Sequence, residues 1–337
     1  MIRIGVIGCG YWGPNLVRNF SKLPNARLAG VADIVPAKLE SIRRMYPALH
    51  TWSDPIQLIE SPEVDAVAIV TPIGTHFALA RTALERGKHA LVEKPLTSTV
   101  AEAEELVALA ERSRRVLMVD HTFIYAGAVR RIRELIDAGE LGEIYYYDSV
   151  RVNLGLFQHD LSVLWDLGPH DFAIMCYLVD KKPVRLSAVG ARPVSSPDWN
   201  LESLAYITVW FADETTAHFH LNWLSPVKIR RTMIGGSRRM VLYDHLDPDN
   251  QVKVFDKGVD VSSSEERYRL LVQYRSGDMV APKVDQTEAL EAVCSHFVDC
   301  IESGRRPLTD GHAGLAVVRL LQAAQESIAG QGRAVAL

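Results

Sequence analysis

Short apolar runs alternate with amphipathic stretches of helical period from residue 1 to about residue 120. Ile2–Ile7, Arg27–Asp33, Val64–Val70, His89–Val92 and Val116–Val119 read as strands. Between them Gly13–Lys22, Pro36–Met45, Thr75–Arg86 and Thr99–Arg112 read as helices. Strands separated by helices imply a parallel sheet with right-handed crossovers. Such a sheet is covered on both faces, which explains an unbroken apolar run such as Val67-Ala68-Ile69-Val70. After Val119 the pattern changes. Val129–Ala138 reads as a helix, Glu143–Asn153 as a long strand and Pro169–Val179 as a helix starting at its proline. Strand patterns follow at Val184–Ala191, Leu204–Phe211, Thr215–Trp223, Lys228–Ile234, Met240–Tyr243 and Gln251–Phe255. Hairpin-length turns between them, such as Ala212-Asp213-Glu214, predict a mostly antiparallel sheet. Residues 257–284 read as loops around short strands, and the helices Gln286–Ser303 and Gly311–Ala329 close the chain. The expected class is α/β, with a dinucleotide-binding domain over residues 1–122 and an α+β domain over 123–337.

The first strand joins the first helix through Gly8-Cys9-Gly10-Tyr11-Trp12-Gly13. Gly8 allows the tight turn and Gly10 lets the backbone approach a pyrophosphate. Gly13 lets the helix sit close to the sheet with its N–H groups facing the phosphates. Asp33 ends the second strand at roughly the twenty-odd residues where a carboxylate meets a ribose 2′-hydroxyl. With Ile34 rather than arginine beside it, NAD is expected rather than NADP. Asp33 also suits capping of the helix at Pro36. Thr71-Pro72-Ile73-Gly74-Thr75-His76 follows the third strand, at the carboxyl edge where a ligand crevice opens. Thr71, Pro72 and His76 are therefore candidate cofactor contacts with Tyr11 and Trp12. His76 suits contact with the cofactor or the neighbouring loop, and Thr75 suits a helix cap.

Glu93-Lys94-Pro95 ends the fourth strand, placing a lysine where a nicotinamide ring would lie. The proline biases Lys94 toward extended backbone, aiming its ammonium. A plain surface lysine at a strand end is the alternative.

Composition narrows the field. At 337 residues the chain suits about two domains. A net charge of −4 with scattered Lys and Arg argues against nucleic-acid binding. No apolar run approaches a membrane span, and a strand beginning at Ile2 leaves no space for a signal peptide. Cys9, Cys176, Cys294 and Cys300 lack metal-ligand spacing, so a reduced, cytoplasmic protein is expected.

The second half holds one dense stretch: His159-Asp160, then Trp165-Asp166-Leu167-Gly168-Pro169-His170-Asp171. A helix starting at Pro169 puts His170 in its first turn, where the dipole disfavours imidazolium while Asp166 favours it. That balance suits a general base; an Asp-rich helix entry with a packed histidine is the other reading. A metal site from His159, Asp166 and His170 has no recognised spacing, and none is expected. His218 and His220 share a strand face and read as ordinary sheet residues.

Together the glycine motif, Thr71-Pro72 with His76, Glu93-Lys94-Pro95, Asp166-x-x-x-His170 and the closing Pro307-Leu308-Thr309-Asp310-Gly311 resemble the glucose-fructose oxidoreductase, inositol dehydrogenase and MocA family. The resemblance covers essentially the whole chain. It implies an N-terminal Rossmann fold and a C-terminal open antiparallel sheet through which subunits pair as a homodimer or homotetramer. It implies that Lys94 contacts the reacting hydroxyl beside the nicotinamide, that His170 moves the hydroxyl proton with Asp166 as acidic companion, and that Glu93 touches the nicotinamide ribose. Arg151-Val152-Asn153 and the stretch to His170 look most like the branch acting on nucleotide-linked sugars, often at carbon 3. On that likeness Arg151 and Asn153 line the sugar site; otherwise they are exposed strand positions. A free polyol or inositol dehydrogenase and a non-catalytic sensor are the competing functions.

Overall fold

A computed structural model describes residues 1–155, 161–196, 200–260 and 273–337. The chain forms two compact units, Met1–Tyr125 with Thr287–Arg319 and Ala126–Gln286 with Leu320–Leu337. His159 and Asp160 lie outside the described residues.

The first unit holds strands β1 (Ile2–Ile7), β2 (Ala26–Ala32), β3 (His50–Trp52), β4 (Ala66–Ile69), β5 (His89–Glu93) and β6 (Leu117–Asp120). Helices α1 (Gly13–Lys22), α2 (Pro36–Met45), α3 (Pro55–Glu60), α4 (His76–Glu85) and α5 (Val100–Ser113) connect them. Every strand pair is parallel, in the order β3-β2-β1-β4-β5-β6. The order reverses between β1 and β4, the topological switch point where dinucleotides bind this fold. β4 is buried along its whole length, as an unbroken apolar run requires. The sequence reading passes over β3 and α3, which are too short to show a period.

The edge of β6 does not stay open. Thr309, wholly buried, accepts a hydrogen bond from the Val119 N–H at 2.7 Å through its carbonyl. Its hydroxyl donates to the Val119 carbonyl, also at 2.7 Å, and Asp310 bridges Met118. The preceding helix, α8 (Ala289–Ser303), packs on α1, where Arg18 meets the Glu288 carboxylate at 2.6 and 2.9 Å.

The second unit begins with α6 (Gly127–Asp137), β7 (Ile144–Leu154) and α7 (Val163–Leu178). Strands β8 (Pro183–Ala191), β9 (Leu204–Phe211), β10 (Thr216–Asn222), β11 (Leu224–Gly236), β12 (Met240–Asp244), β13 (Val252–Asp260) and β14 (Gln273–Val280) follow. After α9 (Gly311–Ala329), β15 (Val335–Ala336) ends the chain. The sheet order is β14-β13-β12-β11-β7-β10-β9-β8-β15, antiparallel except for the β7–β10 pair. β13 and β14 form a hairpin where the sequence reads mainly as loops.

Helix α7 starts at Val163, six residues before the proline from which it is expected, and Pro169 lies inside it. Proline lacks the N–H that would bond the Trp165 carbonyl, a cost of about 3 kcal/mol in a helix interior. The helix continues because it is buried on nearly every face, so packing outweighs the local penalty. Asp166 therefore stands in the first turn, and His170 follows one turn later on the same side.

One buried ion pair joins α7 to β7. Arg151 Nε donates to Asp171 Oδ2 at 2.7 Å and its Nη2 to Oδ1 at 3.1 Å, while the Ser149 hydroxyl donates to Oδ1 at 3.0 Å. Both charged side chains are nearly sealed from solvent, at 5% and 2% exposure. Phe172 packs edge-on against Phe219 of β10 alongside this pair. Removing one member strands the other charge in the core. Arg151→Ala is expected to destabilise the protein by about 3–5 kcal/mol, measured by urea denaturation, and a loss under 1 kcal/mol would mean Asp171 is otherwise satisfied.

Candidate active site

The carboxyl edge of the parallel sheet carries the candidate site residues of the first unit. Gly8 has φ +99°, and a Cβ there would fall 2.6 Å from the Val70 carbonyl oxygen. At Gly13 a Cβ would fall 2.0 Å from the Gly8 carbonyl oxygen, so the start of α1 can touch the loop only without a side chain. Gly10 differs, because a Cβ there would meet nothing within 4 Å. The loop is tight on its protein side and open over Gly10, the shape that admits a pyrophosphate. Tyr11 is 85% exposed and lies edge-on to Trp12, leaving both rings available beside the loop.

Asp33 serves two ends at once. Its Oδ2 accepts from the Cys9 N–H at 2.7 Å and its Oδ1 from the Val35 N–H at 2.8 Å. The carboxylate thus closes the turn ahead of α2, whose cap position is Val35 and receives no side-chain cap bond, and it ties the glycine loop to the end of β2. Each oxygen keeps a further lone pair for a ribose hydroxyl. Burial, followed by the Asp33 charge, pushes the neighbouring Cys9 thiol up to about 12. That thiol is not a nucleophile at neutral pH.

The loop after β4 and the turn after β5 are held together by His76. This ring is 1% exposed, with Nδ1 2.9 Å from the Pro95 carbonyl oxygen and Nε2 2.7 Å from that of Thr71. Burial lowers its pKa; the two carbonyls oppose that and the Lys94 charge adds to it. Thr75 stands at the cap position of α4, but its hydroxyl bonds Thr71 Oγ1 at 2.6 Å and the Pro72 carbonyl at 2.7 Å. Thr71, Pro72, His76, Lys94 and Pro95 consequently form one braced corner. The Lys94–Pro95 peptide bond is cis, and Lys94 is half-buried.

Two residues of this corner escape a reading of the sequence. Asp120 ends β6 opposite Glu93 in the sheet register and is 3% exposed. Burial raises its pKa to about 6, against the hydrogen bond from Thr122 at 2.6 Å, the Lys94 charge and a hydrogen bond with Glu93. His121, 1% exposed, is pushed down to about 3 by burial and then by Lys94. Neither of its ring nitrogens has a hydrogen-bond partner among the described residues. An unmet buried imidazole costs about 1–3 kcal/mol, which a bound ligand would recover. In sequence, Val119-Asp120-His121-Thr122 is a strand end running into a loop, and only register with Glu93 marks it.

In the second unit, Asp166 and His170 share one side of α7, and both are half-buried. Arg151 is 4% exposed and engaged by Asp171, so it is no surface strand position. Strand alternation puts Asn153 on the face of β7 that carries Ser149 and Arg151. His218 and His220 lie on the opposite sheet face, with His220 stacked on Tyr206 at 4.5 Å and His218 Nδ1 3.0 Å from Thr208 Oγ1. Among the described residues no group of three or more His, Cys, Asp or Glu side chains is arranged for a metal. Among the described residues no helix is long and apolar enough to cross a membrane.

A glycine loop at the end of β1 and a lysine at the carboxyl end of β5, two strands along the same parallel sheet, are the layout of a dinucleotide-binding fold. Comparison with known proteins places it further. Residues 2–121 match the GFO/IDH/MocA oxidoreductase family, NAD-binding Rossmann fold, and residues 129–242 match the GFO/IDH/MocA C-terminal domain. The chain belongs to this family. UDP-N-acetylglucosamine 3-dehydrogenase of Acidithiobacillus ferrooxidans is 28% identical, over 94% of each chain. A solved structure of that enzyme superposes with a TM-score of 0.81 at 25% identity, covering 98% of each chain. The NAD-dependent scyllo-inositol 2-dehydrogenase of Bacillus subtilis is 26% identical, over 91% of this chain and 88% of its own.

Two measurements test this corner. Asp33→Ser is expected to lower the affinity for NAD relative to NADP about tenfold in fluorescence titrations, and an unchanged ratio would leave Asp33 as a brace of the two turns alone. Asp120 gives a pH signature. Its folded pKa of about 6 lies above the unfolded 3.8, so its contribution is full below about pH 4 and lost as pH rises through 6. Asp120→Asn stays neutral throughout. The stability of the native protein minus that of the variant should fall by roughly 3 kcal/mol between about pH 4 and pH 7. A flat difference would show that Asp120 ionises without penalty.

Proposed function

We propose that the protein oxidises a ring hydroxyl of a sugar, or reduces the corresponding ketone, with a nucleotide-linked sugar reacting at carbon 3 as the favoured substrate. The observation carrying this reading is Lys94 at the carboxyl end of β5, braced through His76 to the loop that follows β4. Bound NAD supplies the hydride acceptor or donor. The Lys94 ammonium stabilises negative charge growing on the substrate oxygen as hydride leaves the adjacent carbon. His170 accepts the hydroxyl proton in oxidation and returns it in reduction. Asp166, one turn earlier on α7, orients that imidazole and favours its protonated form. Glu93 and the Asp120 carboxyl it bonds hold the nicotinamide ribose. Tyr11, Trp12, Thr71 and Pro72 border the cofactor, and His76 acts by fixing their loop. Asn153 touches the sugar. Arg151 acts through Asp171, keeping α7 in register with β7.

The similarity to UDP-N-acetylglucosamine 3-dehydrogenase along nearly the whole chain supports the nucleotide-sugar reading. The similarity to an inositol dehydrogenase supports a free polyol as the second reading. The lysine, acid and histidine are all present, which weighs against a sensor without catalysis. The nine-stranded sheet leaves Val189, Tyr206 and Met233 exposed on the face away from α7, and we propose that a second copy covers this face in a homodimer or homotetramer.

Stoichiometric enzyme and NAD mixed with nucleotide sugars and free polyols test the proposal through reduced-nicotinamide absorbance. A single-turnover burst with a nucleotide sugar is expected, lowered about a hundredfold or more in rate by Lys94→Ala with NAD affinity little changed. A burst with polyols alone would shift the substrate class, and normal turnover in Lys94→Ala would refute the assigned role.

A further inference from the structure

We propose that a second ligand site, for a small organic polyanion such as a diphosphate, lies at the amino edge of the parallel sheet, walled by Arg114, Arg115, Arg305 and Arg306. A cavity of about 540 Å³ opens there entirely within the first unit. Its walls come from the starts of β5 and β6 and from the segments that leave α5 and α8. The glycine loop, Thr71 and Lys94 stand at the other edge of the same sheet. This volume falls in the range of metabolite pockets, about 300–1,000 Å³.

Charge is what singles the cavity out. Four guanidiniums face two carboxylates, Glu111 and Asp310. Asp310 is engaged by Arg306, and Glu111 lies 2.8 Å from His312 Nε2. Among the described residues Arg114, Arg115 and Arg305 make no ion pair, and the Arg305 side chain donates only to the Ser303 hydroxyl at 3.1 Å. Helix C-termini attract cations, and α5 and α8 each end here with about half a negative charge. That attraction does not cancel an excess of two guanidiniums over carboxylates.

The backbone adds a second observation. Both helices end in a left-handed residue, where glycine is cheapest. α8 uses Gly304, at φ +68°, whereas α5 places Arg114 there at φ +53°. A non-glycine residue in that conformation costs about 1 kcal/mol or more, so the fold accepts strain at the position that presents this guanidinium.

The remaining wall completes the complementarity. His89 Nδ1 accepts the Val116 N–H at 2.9 Å, so its Nε2 carries the proton and donates. Burial and then Arg115 hold that ring neutral by lowering its pKa to about 4. Val107, Ala110, Leu117 and Ile301 supply an apolar side. Guanidiniums grip phosphate oxygens in pairs, and the apolar side suits the body of an organic phosphate.

Calorimetric titration of the full-length protein with inorganic pyrophosphate, with NAD saturating the cofactor loop, tests the site. Binding that weakens about tenfold or more in Arg115→Ala/Arg305→Ala, with NAD affinity unchanged, is the expected result. No heat up to about 10 mM pyrophosphate, or equal binding by the variant, would overturn it. Hydrogen exchange on the unmodified protein covers the case in which the variant does not fold. Pyrophosphate should then slow exchange at residues 113–116 and 304–307, and protection confined to residues 8–13 would overturn the proposal.

Discussion

One imidazole, wedged between two carbonyl oxygens, sets the braced corner of the first unit. His76 bonds the backbone after β4 on one side and the backbone after β5 on the other. A neutral ring has one N–H to give and two acceptors asking for it. Burial opposes the second proton that would satisfy both. The ring therefore works under tension between solvation and hydrogen bonding. Neither contact can be lost without freeing a segment at the carboxyl edge of the parallel sheet. Lys94 stands between the strand it follows and the Pro95 carbonyl that this brace holds.

The same logic recurs in the second unit with a different pair. Arg151 and Asp171 are expensive to bury, and a hydrophobic substitute would pack as well. The ion pair adds direction: its paired hydrogen bonds allow one rotation of α7 against β7. Asp166 and His170 ride on that helix, so the charges in the core govern an orientation at its surface. In both units a buried polar contact aims a half-buried group, and the acid pair Glu93 and Asp120 extends the pattern along β5 and β6.

Legibility in the sequence tracks how local each feature is. Five of the parallel strands and the glycine loop depend on neighbours within a few residues, and their patterns are readable to within about two residues. β3 and α3 are held by the elements around them and carry too short a pattern of their own. Pro169 misleads because its penalty is local while the burial that overrides it is not. Asp33 illustrates a subtler limit: a ribose contact and a helix cap are the readings the sequence offers, whereas its carboxylate bonds the Cys9 and Val35 N–H groups, contacts that only the folded loop brings within reach. Asp120 and His121 are invisible without the register that sets β6 beside β5. Arg151 on an alternating strand was compatible with either face, and only α7 decides that the face is a core.

The path of the chain carries a consequence for how this protein can be divided. Having left the first unit at Tyr125, the backbone returns through α8 and lays Thr309 along β6 before departing again. A fragment cut after Tyr125 would keep the glycine loop and every parallel strand. It would also expose the Val119 N–H and carbonyl and the apolar flank of α1, surfaces that invite another chain to pair. The cofactor fold is therefore not a detachable module. Recombination between relatives would have to exchange two separate stretches of the gene together, which ties the history of the final helices to that of the first 125 residues.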